Sequence, residues 1–471
     1  MPPDDLSHMP AAVVDTLAAA MLIAIGASIR GDVRFLIGLP ITVAGFVVAW
    51  RAAWRVSTEQ RAPWPPAIRV LLFATAAVGL VTPSLHGPLW YEGSRRAFST
   101  LGLVAVAVVA RGDARRSSRA VAAVIAAATA LHLATPLAIP RPDIDVWSWT
   151  QACIHALLRG VHPYTVQAAD VVSGADLHRT AAVYPYLPLT LIAFAPGVVL
   201  FGDYRFVSAL CVPATVALIR ATGRRLALDR SFVDAATLAF LLFPRAAELT
   251  CFGWTEPLLV VAVMAFAHSA VPHRGTIEGS RDGDDGRRRR DGVREAMAFF
   301  LLPALKQYFV APVLLYVAMK PRPRVAALVA GASLAAAAVV PFLMWDWRAT
   351  VAGMTTQMIA PVAPRLDSDS LVALGGVVTG VYVSRWVSVV VQFIAAGIAW
   401  RRLRGHGVGG LLLASALALC ATFLCGWQAF VNYYYFVSAM LVAAALVLAR
   451  PMTLRDGGRA EPSGPGLTPM G

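Results

Sequence analysis

Two aspartates separated by one residue, Asp143 and Asp145, open the longest polar stretch of the chain, Pro140 to Pro188. A carboxylate held beside a hydroxyl can take its proton as the oxygen attacks, so this pair is the first candidate for chemistry. The plainer use of such a residue is to cap the helix starting at Val146. Lys306 is the second candidate. Lysine occurs only at 306 and 320, among 41 Lys plus Arg, and Lys306 lies within an apolar run. An ammonium group there is costly and marks a site with a partner, for which a phosphate is suited; its bland alternative is a lysine snorkelling to the surface. Arg245, Glu248 and Glu256 bracket a short turn between two apolar runs. Arg245 and Glu248 can simply pair, and Glu256, just before Pro257, suits a helix start. Arg365, Asp367, Asp369 and Ser370 form a further polar group in a second expected external loop, residues 345–370, and Arg365 there is a candidate phosphate ligand. The run Tyr433–Tyr435 with Trp427 reads as an interfacial aromatic belt, with carbohydrate stacking as the alternative.

The elements around these residues are read from hydropathy. Of 471 residues, 58% are hydrophobic and 14% charged, against about 25% charged in soluble chains. Apolar runs divided by short basic or aromatic segments indicate an all-α, polytopic membrane protein. About twelve full spans are expected, with re-entrant segments beside them. The N-terminus lacks a basic n-region, so the first span is expected to remain. The net charge of +14 resides in arginines clustered in alternate loops; this is the positive-inside pattern and points away from nucleic acid. Five cysteines show neither a disulfide framework nor metal spacing.

Spans are predicted near Ala11–Ile29, Phe35–Trp50, Ala67–Leu85, Phe98–Ala110 and Val121–Ile139. Arginines after the second and fourth place the N-terminus in the cytoplasm and the Asp143 loop outside, and the C-terminus is read as cytoplasmic as well. Val146, Trp149, Cys153, Ile154, Leu157 and Leu158 recur at helical spacing, predicting an amphipathic helix in the membrane interface. His155 and His162 read as polar-face residues. Two conflicts between span counting and the charge rule predict irregular segments, one at 187–201 and one at 296–319, where Pro303 and Pro312 would break a helix around Lys306. The domain reading is N-terminal helices over 1–120 and a catalytic membrane core over 121–449. The core would contain the external loop 140–203 and a structureless basic loop 272–295, with a disordered cytoplasmic tail at 450–471.

An acidic pair after a span, an amphipathic stretch, Gly160 with Pro163-Tyr164, and Tyr184-Pro185-Tyr186-Leu187-Pro188 together resemble the GT-C glycosyltransferases of actinobacteria. The likeness is to the polyprenyl-phosphate-mannose-dependent enzymes of glycosyltransferase family 87 and the related alpha-1,6 mannosyltransferases. Gly202-Asp203-Tyr204-Arg205 and Leu305-Lys306-Gln307-Tyr308 also look like family features, and the resemblance covers roughly residues 140–435. Asp143-Ile144-Asp145-Val146-Trp147 matches the family-87 style and Asp145-Val146-Trp147-Ser148-Trp149 the alpha-1,6 style, so the two nominate different aspartates; the reading leans to Asp143. The resemblance implies a GT-C-like fold and an inverting transfer of a sugar, mannose first, from a polyprenyl-phosphate donor to a glycolipid or glycan acceptor of the cell envelope. It implies Asp143 or Asp145 as base, Lys306, Arg245 and Arg365 at the donor phosphate, and Tyr164, Tyr186, Glu248, Gln307 and Tyr308 around the substrate. No cofactor or metal is required on this reading, though a divalent cation near the acidic pair is compatible with it. The rival reading is a transporter or flippase for a lipid or sugar, which also suits many spans and a buried lysine.

Overall fold

The computed structural model describes residues 8–31, 33–58, 60–63, 65–82, 88–111, 114–171, 183–271, 285–319, 325–359 and 365–450. Apolar runs become helices in order: α1 (Ala11–Gly26), α2 (Leu39–Arg55), α3 (Pro65–Val81), α4 (Leu89–Ala110), α5 (Ala114–Ala138), α6 (Asp145–Leu158), α7 (Pro188–Phe201), α8 (Arg205–Arg225) and α9 (Arg230–Leu241). There follow α10 (Ala246–Cys251), α11 (Glu256–Ala270), α12 (Asp285–Leu305), α13 (Val310–Met319), α14 (Val325–Ile359), α15 (Leu371–Thr379), α16 (Trp386–Leu403), α17 (Gly407–Leu424) and α18 (Val431–Leu448). Among the described residues, eight helices are long and apolar enough to cross a membrane, and five apolar helices are shorter. The protein is an all-α, multi-pass membrane protein.

Local chemistry accounts for many of the boundaries. Pro188 and Pro257 sit in first turns, where a missing N–H costs nothing. Asp229 caps α9 by accepting from Ser231 and Phe232, and Ser370 caps α15 by accepting from Ala373 N. Gly202 ends α7 with φ 77°, a left-handed turn that glycine adopts without strain.

α1 and α2 form an antiparallel hairpin, tied at its open end by paired strands β1 (His8–Pro10) and β2 (Arg61–Pro63). At that end Arg51 and Arg55 bond the buried Asp15 at 2.6 and 3.1 Å. α1 packs on α18, and α1, α17 and α18 are almost wholly enclosed within the bundle. α2, α4, α14 and α16 expose Val47, Trp54, Val104, Val329, Val340, Val390, Phe393 and Ile394 outwards. Such apolar outer faces belong against lipid.

Two irregular segments were expected, and they turn out differently. Residues 188–201 form a continuous helix, α7, despite Pro196; at 14 residues it is about 21 Å long, short of a full bilayer core. The 296–319 segment is interrupted where expected. Lys306 is extended (φ −147°, ψ 139°), Gln307–Phe309 form a 3-10 turn, and α13 follows. The two arms take different neighbours, α12 packing on α11 and α14, and α13 on α16 and α17. Residues 285–295, expected to be structureless, are the first turns of α12, while 272–284 and the tail beyond 450 lie outside the described residues. The expected external loop at 345–370 is also helical as far as Ile359. α14 breaks at Asp346 (φ −152°, ψ 97°), whose Oδ1 accepts from Ala349 N at 3.0 Å and so restarts the helix.

Candidate active site

The segment bearing Asp143 and Asp145 leaves the end of α5 and is held by a single buried guanidinium. Arg205 is fully buried, and its Nη1 donates to the carbonyls of Ile139 (2.8 Å) and Cys251 (3.0 Å). Nη2 donates to Pro140 O (3.1 Å) and to Asp203 Oδ2 (2.6 Å), and the group lies over Trp147 at 5.5 Å. One side chain thereby joins the end of α5, the end of α10 and the start of α8. Ile144 stays extended, and Asp145 Oδ1 accepts from Val146 N at 2.8 Å at the head of α6. Asp145 is half-buried, whereas Asp143 is exposed. The expected amphipathic helix is present as α6, but Trp149, Cys153 and Ile154 are buried against protein: α7, Tyr164, Tyr184 and Tyr204. Leu158, expected in the same stripe, is 51% exposed. His155 is exposed, and His162 is buried beside Thr350 and the ring of Trp345.

Lys306 lies in the helix break with almost no exposure, and Nζ donates to Glu256 Oε1 at 2.8 Å. Glu256 is wholly buried in the first turn of α11, where the helix dipole favours a carboxylate. Three tyrosine rings surround the ammonium, Tyr186 at 5.1 Å, Tyr433 at 5.4 Å and Tyr308 at 5.5 Å. Glu256 Oε2 and the Tyr308 hydroxyl are buried without a hydrogen-bond partner. Gln307 Nε2 donates to Pro185 O (2.9 Å) and Met354 O (3.2 Å), and Thr190 donates to Leu305 O at 3.1 Å. The carbonyls and side chains around the break are thus tied to α7, α14 and the 183–187 segment. Asp145 belongs to this neighbourhood: burial, then the Asp145 charge, holds the Tyr186 hydroxyl well above its ordinary range. The charges of Glu256, Arg365 and Asp145 all reach Tyr433. Lys306, Glu256, Tyr186, Tyr308 and Tyr433 thus form one cluster, and the Asp145 charge is felt at Tyr186 and Tyr433.

The remaining candidates fall elsewhere. Tyr164 is buried, and its hydroxyl donates to Tyr186 O at 2.5 Å, so it positions Tyr186. Arg245 Nε bonds Glu248 Oε2 at 2.9 Å, and Glu248 also accepts from Arg30 in the α1–α2 turn. Arg365 is bound in a fork to Asp367 at 2.8 and 2.7 Å and lies 5.1 Å over Phe430. Sequence reasoning took Glu256 for a helix-start residue, noted Arg205 only as the last residue of the Gly202–Arg205 motif, and left Arg30 and Arg34 unremarked. Among the described residues, no three His, Cys, Asp or Glu side chains are grouped as metal ligands would be.

No protein-family model matches the chain, and no curated protein does. Among solved structures, the chain is similar to the crystal structure of ArnT from Cupriavidus metallidurans bound to undecaprenyl phosphate. The TM-score is 0.45 at 16% identity, over 70% of this chain and 59% of that one. At that level no residue role passes from one chain to the other.

Proposed function

We propose that the protein is an integral-membrane, GT-C-like glycosyltransferase that moves a sugar, mannose first, from a polyprenyl phosphate to a cell-envelope lipid or glycan on the outer face. The observation that carries this reading is the Lys306–Glu256 pair, buried among three tyrosines, two of which feel the Asp145 charge. In an inverting transfer the acceptor hydroxyl gives its proton to the base as its oxygen bonds to C1. The C1–O bond to phosphate breaks, and the electron pair leaves with the phosphate. The donor phosphodiester becomes a monoester, so one more negative charge develops at the leaving group. Lys306 is the cation placed to meet that charge, and its ammonium keeps two donors beyond the one given to Glu256. Asp145 is the better candidate base, since it is half-buried and its charge is felt at Tyr186, while Asp143 is exposed. The tyrosine rings offer stacking faces to the sugar.

The rival reading, a lipid or sugar transporter, is favoured by the helix broken at Lys306 within an apolar segment. Radiolabelled mannose on polyprenyl phosphate, given to purified protein with membrane acceptors, separates the two. Wild type is expected to form labelled product. Asp145→Asn should lower the rate about 10²–10⁴-fold and Lys306→Ala about 10²–10³-fold, with Asp143→Asn affected least. Equal behaviour of wild type and all three variants would end the enzyme reading, and label crossing vesicles unchanged would support transport.

A further inference from the structure

The exposed stripes of α2 and α16 both run from apolar to cationic towards the C-terminal end of the helix. On α2, Val47, Arg51 and Trp54 recur at helical spacing and are exposed; on α16, Ile394, Ile398 and Arg402 do the same, with Arg401 beside them. Both helices pack on α17. Their arginine-bearing ends meet, since the Arg402 guanidinium lies 3.3 Å over the Trp54 ring. Charge is unbalanced there. Arg51 and Arg55 share one carboxylate, Asp15, and their side chains remain 52% and 37% exposed. Among the described residues, Arg401 and Arg402 have no carboxylate partner. The indole N–H of Trp400, the residue before them, is buried without an acceptor. This end lies across the bundle from Lys306. Gly409, at the start of α17, comes so near the end of α18 that an added Cβ would lie 2.8 Å from the Leu448 side chain. Tyr433, whose ring is 5.4 Å from Lys306 Nζ, stands at the start of α18, about 22 Å of helix away.

Arg51, Arg55, Arg401 and Arg402 against Asp15 leave positive charge without a partner in the protein, and phosphate oxygens match guanidinium donors. The stripes indicate what carries the phosphate. Val47, Ile394 and Ile398 are 59%, 57% and 46% exposed and lead away from the arginines along the outer face of the bundle. A free anion would use the arginines and leave these side chains bare, whereas a phospholipid covers both. Trp54, between the two zones, suits the depth of the glycerol groups. By the charge rule this end faces the cytoplasm, where arginines near the surface attract anionic lipid.

We propose that the seam between α2 and α16 holds an anionic phospholipid of the cytoplasmic leaflet. Its head-group phosphate rests on Arg51, Arg401 and Arg402, and its acyl chains lie along Val47, Ile394 and Ile398. Bound there, the lipid ties the N-terminal hairpin to the C-terminal helices, whatever reaction the Lys306 site performs. The full-length protein, delipidated in neutral detergent, is titrated with phosphatidylglycerol, with phosphatidylcholine of the same acyl chains, and with glycerol 3-phosphate as a head group without tails. Lipid retention is read by native mass spectrometry and stability by melting temperature. Phosphatidylglycerol should be retained and should raise the melting temperature, whereas the other two should do neither. Arg51→Gln with Arg402→Gln should weaken phosphatidylglycerol binding about tenfold or more. Arg111→Gln with Arg119→Gln removes the same charge from exposed positions around the α4–α5 turn and should leave binding unchanged. Arg402→Gln alone keeps the Asp15 pairs and should still weaken binding several-fold, so it serves if the double variant does not fold. Equal retention of the two lipids, or a response to glycerol 3-phosphate matching that to phosphatidylglycerol, would overturn the site. Equal weakening by the two double variants, or none by the Arg51 and Arg402 variants, would overturn it too, the former by showing that the charge acts diffusely.

Discussion

Lys306 and Glu256 are a buried ion pair, and such pairs are far more sensitive to losing one partner than to losing both. Lys306→Ala leaves the Glu256 carboxylate unpaired where water cannot reach it, and should cost about 3–5 kcal/mol, read as a lower melting temperature in detergent. Lys306→Ala combined with Glu256→Gln should recover part of that loss; an additive double variant would show that the two groups do not interact. Asp369 gives a pH signature of the opposite sign to most carboxylates. Burial pushes its carboxyl up to about 6, although Arg245 and Arg34 pull it down. The unfolded chain releases that proton near the ordinary ~3.9, so between these values the folded form holds more protons. The contribution of Asp369 to stability is therefore full below about pH 4 and is lost as pH rises through about 6. Asp369→Asn should flatten the melting temperature across that window. The position of Lys306 in an apolar run was legible because an ionisable residue there is costly; Glu256 was not, because fifty residues separate the pair and only folding brings them together.

Among the elements, the segment from α5 to α6 depends on contacts remote in sequence. Arg205 satisfies carbonyls at 139, 140 and 251, so Arg205→Ala should loosen the Asp145 loop as well as the α8 start. Arg205→Lys should fail to rescue, because one ammonium cannot span these acceptors in a plane. Melting temperature and sugar transfer should fall together in both variants. Gly253 makes a second test. Its φ is +66°, and an added Cβ would overlap the Tyr204 hydroxyl that donates to Gly253 O at 2.9 Å. Gly253→Ala should cost about 1–3 kcal/mol, whereas Gly375→Ala, with open space around it in α15, should be near neutral. The helices themselves were readable from apolar runs. The charged start of α12 was missed because Asp285–Glu295 carry no apolar period, and the 345–359 helix because Asp346 interrupts its pattern before restarting it.

At the scale of the whole molecule, the polar groups assigned outwards by the charge rule gather at one end of the bundle, where Arg30 meets Glu248 and the Arg365 amide meets Trp427 O at 3.4 Å. Their placement outside the cell is testable. In a cysteine-free background, cysteines replacing the exposed Arg159 and Leu366 should react with an impermeant thiol reagent from outside, and one replacing Arg401 only after the membrane is opened. Labelling of all three from one side would refute the proposed orientation. The chain by itself determined that this is a helical membrane protein, where most spans lie and that the helix breaks at Lys306, because hydropathy, proline and the cost of a buried charge are local properties. Which charges meet was decided only by tertiary structure. Forty-one Lys plus Arg residues make single arginines indistinguishable in sequence. Packing singled out Arg205 as an anchor, grouped Arg30 with Arg34 and Arg245, and brought Glu256 to Lys306, because electrostatic partners are chosen by distance in space.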